Sequence, residues 1–351
     1  MDKKVVALLF GGASSEHEVS KRSAATIINA LDEEKYFTLP IYITEDGRWF
    51  LYDGGKDNLK NLQWEKFATP VILSPDTSHH GILRLVGEKY KVMHVDVVFP
   101  VLHGKNGEDG TIQGLCELSG IPYVGSKVAA SALCMDKDHT KMVASALKIN
   151  QADYLVFSKN DIEKRMDDVT KDIRYKIGYP CFIKPAHTGS SVGISKAVNK
   201  KTLIDALNCA AKYDDKIIAE KMLTGRELEV SVLGNDAPET SGVGEIVYEA
   251  EFYDYNAKYE SNTSRTIVPA DIPDYVSEKI RSLAAKIYLA AECRGLARCD
   301  FFWDEAADKV IFNEINTMPG FTSISMYPML WQQEGVGITQ LVDKLIELAM
   351  E

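Results

Sequence analysis

Two near-continuous apolar runs, Val5 to Phe10 and Val95 to Leu102, restrict the first third of this chain more than any other feature. A strand with one wet face alternates apolar and polar residues, whereas a strand covered on both faces reads as an unbroken apolar run. Such strands need helices packed against them. One is predicted from about Glu18 to Asp32, where Val19, Ala24, Ile27, Ile28 and Leu31 fall on apolar faces. Phe37 to Thr44 is the next strand, and Asp46-Gly47 marks a hairpin turn after it. The alternation of strand and helix predicts an open parallel α/β sheet over roughly the first 125 residues.

The rest of the chain has a different rhythm. Tyr154 to Phe157, Cys181 to Pro185, Ile194 to Ala197 and Ile217 to Met222 read as strands, with helical segments near Asp161 to Ile177 and Lys201 to Tyr213. This is a smaller α+β unit. From Glu227 onward strands dominate, and Leu228, Val230 and Val232 alternate with Glu227, Glu229 and Ser231, the pattern of a sheet with one covered face. A helix follows at about Tyr275 to Cys293. Two strands, Leu296 to Trp303 and Lys309 to Asn316, and a C-terminal helix complete the chain. At 351 residues this is too long for one compact core, and two or three domains are expected.

Composition excludes several classes of function. A net charge of −11 argues against nucleic acid as the main partner. No apolar run approaches the roughly 20 residues needed to span a bilayer, so no membrane partner is expected. Lys3-Lys4 precedes only Val5 to Phe10 before Gly11-Gly12 intervenes, which makes a poor signal peptide. The six cysteines form no CxxC pair and read as buried free thiols of a reducing compartment, so a cytoplasmic protein is expected. In so acidic a chain, an anionic substrate such as ATP would need local cations.

The C-terminal strands carry the most suggestive chemistry. In "VIFNEINTMPGFTS" (310–323), alternation puts Glu314 and Asn316 on one face, roughly 7 Å apart along the strand. In "LARCDFFW" (296–303), the same rule puts Arg298 and Asp300 together. If the two strands pair as a hairpin, Asp300, Glu314 and Asn316 converge as an all-oxygen ligand set suited to Mg²⁺ held jointly with substrate phosphates. Arg298 beside them would neutralise a phosphoryl group or an oxyanion. A surface ion pair between Arg298 and a neighbouring carboxylate accounts for the same residues.

"FIKPAHTGSSVGIS" (182–195) is a strand, then Lys184, then a loop containing Gly189, Ser190, Ser191 and Gly193. Glycines free backbone N–H groups for phosphate oxygens, serines add donors, and Lys184 supplies a point charge. The spacing is not that of a P-loop, and no dinucleotide fingerprint is present. In "IIAEKMLTGRELEV" (217–230), Glu220 and Lys221 would meet an adenine edge, Met222 would pack on the ring and Glu227 would accept from ribose.

"FGGASSEHEVS" (10–20) opens the first helix, where Glu16 would repel an anion and instead suits a substrate ammonium. Ser14 or Ser15 as an ordinary N-cap explains the stretch without a ligand. "VLHGKNGEDGTIQG" (101–114) sets His103 at the C-terminal end of a parallel strand, where open α/β sheets bind ligands. "FYDYNAKYESNTS" (252–264), with Tyr255, Lys258 and Tyr259, is a candidate lid.

Taken in order, the series FGGxSSExEVS, HGxxGEDG, MDK, FxKPxxxGSSVGIS, ExxLxGxELxV, YDYxxKY, RxD and NExNTMPGFT resembles the D-alanine–D-alanine ligases of the ATP-grasp superfamily, from Phe10 to the C-terminal helix. The resemblance implies an ATP-grasp fold in three parts: an N-terminal substrate domain (1–127), a central subdomain (128–222) and a C-terminal subdomain with the metal site (223–351). ATP would be gripped between the last two. The implied reaction is ATP-dependent joining of two D-alanines through an acyl phosphate, for peptidoglycan precursors, by a homodimer. Carried over by motif, Lys137, Lys184 and Ser191 would meet ATP phosphates, and Glu220, Lys221, Leu223 and Glu227 would line the nucleoside. Asp300, Glu314 and Asn316 would hold two Mg²⁺ or Mn²⁺ ions. Glu16 would take the first ammonium in a set with Ser190 and Tyr259, with His103 near that substrate's carboxylate. Arg298 and the Gly320 N–H would stabilise the oxyanion, and Ser325, Met326 and Lys258 would border the second subsite.

The same series is similar to the vancomycin-resistance ligases that accept D-serine or D-lactate second. Lys258-Tyr259 matches the dipeptide ligases, and an apolar Met326 suits a methyl group, so D-alanine is expected. Another ATP-grasp carboxylate–amine ligase would keep Lys184, Glu314 and Asn316 without needing Glu16, Ser190 and Tyr259 together. A non-catalytic nucleotide-binding regulatory protein would bind ATP without needing Arg298.

Overall fold

The computed structural model describes residues 3–54, 68–248 and 264–351. In chain order the elements are β1 (Lys4–Gly11), α1 (His17–Ala30), β2 (Tyr36–Ile43), β3 (Trp49–Tyr52), β4 (Ala68–Leu73), β5 (Gly81–Val86), β6 (Lys89–His94), β7 (Val97–Val101), α2 (Thr111–Ser119), α3 (Val128–Met135) and α4 (Lys137–Ala146). Next come β8 (Tyr154–Ser158), α5 (Lys159–Lys176), β9 (Cys181–Pro185), β10 (Ser195–Ala197), α6 (Lys200–Ala210) and β11 (Lys216–Lys221). Then follow β12 (Arg226–Leu233), β13 (Glu239–Tyr248), β14 (Ser264–Ile267), α7 (Asp274–Ala290), β15 (Leu296–Asp304), β16 (Lys309–Asn316), α8 (Met326–Gln333) and α9 (Ile338–Ala349).

These strands build three sheets. The first runs β6-β5-β4-β3-β2-β1-β7. Its parallel part is β2-β1-β7, where both apolar runs lie: Val6 to Phe10 and Val97 to Phe99 are fully buried, as their lack of alternation demands. Beyond β2 the sheet turns antiparallel. The hairpin at Asp46-Gly47 starts that half, closed by the Thr44 N–H donating to the Arg48 carbonyl at 2.9 Å. The N-terminal sheet is therefore mixed, parallel at its centre and antiparallel on one flank.

The second sheet, β10-β9-β11-β8, and the third, β14-β13-β12-β15-β16, are antiparallel throughout. In the third, Leu228, Val230 and Val232 are fully buried, as the alternation predicts. The intervening Glu229 and Ser231 are buried as well, which corrects the expectation of a single covered face. β12 is the middle strand, and both α7 and α8 pack on it.

Helices α3 and α4 share their core with this third sheet, through Ala130, Cys134 and Ala144. Another core joins the N-terminal sheet to the far end of the chain: Phe10, Val97 and Phe99 cluster with Met318, Phe321, Tyr327 and the α9 residues Leu341, Leu345 and Ile346. Packing thus locks the N-terminal sheet against the segment that follows β16. All six cysteines are free and five are buried.

Candidate active site

β15 and β16 pair as the sequence predicts, with Asp300 opposite Glu314 and Arg298 opposite Asn316. A register shift between Asp300 and Phe301 leaves Asn313 unpaired, a bulge of the kind that re-aims side chains beside sites. Phe301, Phe312 and Ile315 go to the core, and the polar four occupy the opposite face. Arg298 forms a two-pronged pair with Asp300, Nε to Oδ1 and Nη2 to Oδ2 both at 2.8 Å, and its Nε lies 3.0 Å from Glu229 Oε2. The Asn316 amide donates to Asp300 Oδ2 at 3.1 Å. Arg298 is therefore largely buried between two buried carboxylates, not a surface pair. Burial works against its charge, yet Asp300 and Glu229 hold its pKa well above the usual guanidinium value.

Among the described residues no cluster of three or more His, Cys, Asp or Glu forms a closed metal cage. The set here is two carboxylates and a carboxamide, all oxygen, with partial exposure at Glu314 and Asn316. That chemistry fits Mg²⁺, which keeps water and substrate phosphates in its shell instead of a full set of protein ligands.

Helix α4 and the second sheet bring cations to the same place. Lys137 heads α4, whose N-cap is Asp136, and its Nζ donates to the Thr188 carbonyl at 2.6 Å while lying 3.8 Å from Glu314 Oε2. It thus ties the glycine-serine loop to the Glu314 face of the third sheet. Lys184 is ion-paired with Glu220, which is also paired with Lys141. Burial alone would raise the Glu220 carboxyl, but Lys184 and Lys141 bring it down to about 2. Desolvation disfavours the Lys184 charge, and Glu220, Glu314 and Glu227 outweigh it and raise its pKa. Lys221 is exposed, and Leu223 and Glu227 are half-buried at the junction of the second and third sheets. Ser190 and Ser191 adopt left-handed backbone, φ 46° and 61°, in a loop that also holds Gly193 at φ 74°.

That loop reaches the N-terminal sheet. The Ser190 hydroxyl donates to Glu16 Oε1. Glu16 itself occupies the N-cap position of α1 without capping it, and the Ser14 hydroxyl accepts from the Glu16 N–H at 3.0 Å while donating to the His103 carbonyl at 2.8 Å. The serine N-cap explanation therefore fails, and the Glu16 carboxylate is turned toward the loop. It lies between two glycines: a Cβ on Gly104 would sit 2.5 Å, and one on Gly189 2.7 Å, from Glu16 Oε2.

His103 is buried with both ring nitrogens engaged, Nδ1 with the Met318 carbonyl at 3.0 Å and Nε2 with the Ser23 hydroxyl at 3.2 Å. Burial lowers its pKa, so the ring is neutral near pH 7. Gly320 abuts Ser325, whose hydroxyl accepts from the Thr322 N–H at 3.0 Å. Met326 is 3% exposed, with its thioether packed over Gly244 of β13. Tyr255, Lys258 and Tyr259 lie outside the described residues.

Sequence reading missed Glu229, Lys141, Ser23 and Glu108. Glu108 was in plain view within "HGKNGEDG", yet only its partners reveal it: it accepts from the Gly104 N–H at 2.8 Å and from the Met318 N–H at 3.1 Å. Enclosure by protein, reinforced by the Glu16 charge, raises its carboxyl to about 8. Two cavities of about 270 and 480 Å³ open elsewhere, beside Arg294 and beside His139, and neither includes Glu16, Lys184 or Glu314.

Two family models match the chain, D-ala D-ala ligase N-terminus over residues 5–126 and D-ala D-ala ligase C-terminus over residues 143–347. The D-alanine–D-alanine ligase of Acetivibrio thermocellus is 49% identical over 364 residues, covering 100% of this chain and 96% of the relative. That of Clostridium acetobutylicum is 48% identical, covering 99% and 98%. Among solved structures, the VanG D-Ala:D-Ser ligase from Enterococcus faecalis superposes with a TM-score of 0.90 at 39% identity, covering 99% of this chain and 100% of that one. The D-alanine-D-alanine ligase from Coxiella burnetii gives 0.84 at 36% identity, covering 99% and 95%.

Proposed function

The chain belongs to the D-alanine–D-alanine ligase family, and on that premise we propose that it joins two D-alanines, with ATP converted to ADP and phosphate, to supply peptidoglycan precursors. The observation that carries this reading is the convergence of three sheets on one cleft, with Glu16 from the first, Lys184 and Ser190 from the second, and Arg298, Asp300, Glu314 and Asn316 from the third. ATP and a divalent metal are the family's requirements. We read the chain as units 1–127, 128–222 and 223–351, with α3 and α4 packing back on the third.

A carboxylate does not react with an amine, so the first D-alanine must be activated. Its ammonium pairs with Glu16, which Ser190 and the two glycines hold in place, and its carboxylate oxygen attacks the γ-phosphorus of ATP to give an acyl phosphate and ADP. Lys137, Lys184 and the loop N–H groups at Ser190 and Ser191 draw charge from the phosphates. Asp300, Glu314 and Asn316 would hold two Mg²⁺ or Mn²⁺ ions, which supply neutralisation of the β- and γ-phosphates. Glu220, Lys221, Leu223 and Glu227 line the nucleoside. The second D-alanine attacks the acyl carbon through its neutral amine, and the tetrahedral oxyanion is met by Arg298 and the Gly320 N–H. Phosphate leaves as the C–N bond is retained, and the proton lost by the attacking amine departs with it. By the family resemblance, Ser325 and Lys258 would border the second amino acid, and Tyr259 would complete the Glu16–Ser190 set.

No helix among the described residues is long and apolar enough to cross a membrane. A cytoplasmic homodimer acting on small molecules, with neither nucleic acid nor membrane as partner, completes the reading. The likeness to the VanG structure favours a second one, D-serine as second substrate. The test is phosphate release with ATP, Mg²⁺ and D-alanine, then with excess D-serine or D-lactate, products being identified by mass. D-Alanyl-D-alanine as the main product supports the first reading, and D-alanyl-D-serine the second. Absence of amino-acid-dependent phosphate release refutes both and leaves a nucleotide-binding protein.

A further inference from the structure

We propose that Glu108 is a positioning residue that reaches from the N-terminal sheet to hold the Met318–Phe321 turn, and through it aims the Gly320 N–H at the reacting carbon. The inference rests on the ligase reading above and adds to it a residue that the motif-derived roles leave out.

The case is an account of backbone groups, each of which needs a partner when it is taken out of water. The turn 318–321 has three N–H groups, since Pro319 has none. The Met318 N–H donates to Glu108 Oε1 at 3.1 Å. The Phe321 N–H donates to the Ser23 hydroxyl at 3.2 Å. Among the described residues no hydrogen bond occupies the Gly320 N–H, so it is the one donor the turn has to offer a ligand.

The carbonyl side is fixed too. His103 Nδ1 donates to the Met318 carbonyl, which leaves Nε2 as the acceptor for the Ser23 hydroxyl. The chain Phe321 N–H to Ser23, Ser23 to His103 and His103 to Met318 closes with every donor and acceptor matched. Three side chains of the N-terminal unit therefore grip the residues on either side of Pro319-Gly320. Phe321 is anchored below them by edge contact with Phe99, ring centroids 6.4 Å apart.

Glu108 is the member that also touches the other substrate wall. Its Oε2 accepts from the Gly104 N–H, and Gly104 is one of the two glycines against the Glu16 carboxylate. One carboxyl group thus sets the spacing between the first ammonium's partner and the oxyanion donor, residues from opposite ends of the chain. Such spacing matters because an error of about 1 Å in a reacting geometry costs on the order of a hundredfold in rate.

The test uses the full chain carrying Glu108→Gln, which keeps the side-chain volume but offers one acceptor and turns an NH₂ toward the other donor. Turnover is read by D-alanine-dependent phosphate release, and the turn by hydrogen exchange of the peptide 313–325. The expected result is a kcat lower by about tenfold or more with KM for ATP changed by less than about twofold. Exchange at the turn should accelerate by about tenfold, with the β15 peptide unchanged. Unaltered exchange, or faster exchange with kcat intact, overturns the proposal. Exchange decides the clamp without turnover, so a wild-type protein that lacks D-alanine-dependent phosphate release refutes the ligase reading separately.

Discussion

The Ser190 hydroxyl donates a hydrogen bond to Glu16 Oε1 across 174 residues of sequence, joining a loop of the second sheet to the first helix of the chain. The contact fixes the carboxylate proposed to take the first ammonium, and it exists because the backbone on either side has no side chains. Gly104 at φ 68° and Gly189 leave room that a methyl group would fill.

Gly189→Ala should therefore displace Glu16 without unfolding the protein. We expect kcat/KM for D-alanine to fall by about a hundredfold. Glu16→Gln, which keeps the shape and removes the charge, should show a similar loss. Gly114→Ala is the control, in α2 with nothing within 4 Å of the new methyl. It should leave activity unchanged and stabilise the fold by about 0.5–1 kcal/mol, read by urea titration. A Gly189→Ala enzyme with wild-type kcat/KM would remove Glu16 from the substrate site.

Arg298 cannot be replaced by another cation. Its two parallel bonds to Asp300 use the guanidinium fork, and Glu229 takes a further contact. Arg298→Lys should lower kcat by about 10²–10³-fold. Arg298→Ala leaves Asp300 and Glu229 buried without their cation and should cost about 3–5 kcal/mol of stability besides. Phosphate-release kinetics and urea unfolding separate the two effects, and equal activity of the lysine variant would exclude the oxyanion role.

His187 supplies a pH signature at the base of the glycine-serine loop. Hydrogen bonds to Asp136 and Asp214 raise its pKa to about 9 from an ordinary 6.5. A raised folded pKa stabilises the protein fully below the unfolded value and is lost as pH climbs through the folded one. Wild type should accordingly exceed His187→Gln in Tm at about pH 6, and the gap should close by about pH 10. Lys216 and His139 also face Asp136, so its carboxylate keeps partners in the variant. A gap independent of pH would show that His187 acts by packing alone.

The legible part of the site was the part built within one supersecondary unit. Asp300 and Glu314 meet because strands alternate faces and a hairpin fixes the register, and both facts follow from "LARCDFFW" and "NEIN". Glu229 obeys the same alternation but was read as solvent-facing, since a polar face looks identical in sequence whether it meets water or a buried arginine. The antiparallel flank of the first sheet was signalled only by Asp46-Gly47. Contacts that span domains left no local trace: Glu108 takes its N–H donors from four residues before it and 210 after it. Glu16 with Ser190 came from family resemblance, not from pattern.

Met326 stands one residue beyond Ser325, and α8 docks so that its side chain packs onto Gly244, the one residue type on β13 that leaves space for the thioether. The side chain is buried, and removing it opens a void beneath the sheet instead of reshaping the cleft. Met326→Ala should therefore destabilise by about 2–5 kcal/mol, seen as a lower urea midpoint. The ratio of D-alanyl-D-alanine to D-alanyl-D-serine formed from mixed substrates should stay within about twofold of wild type, since a cavity in the core changes no contact to a second amino acid. A clear shift of that ratio toward D-serine, with stability unchanged, would return Met326 to the subsite and require α8 to dock differently when substrate is bound.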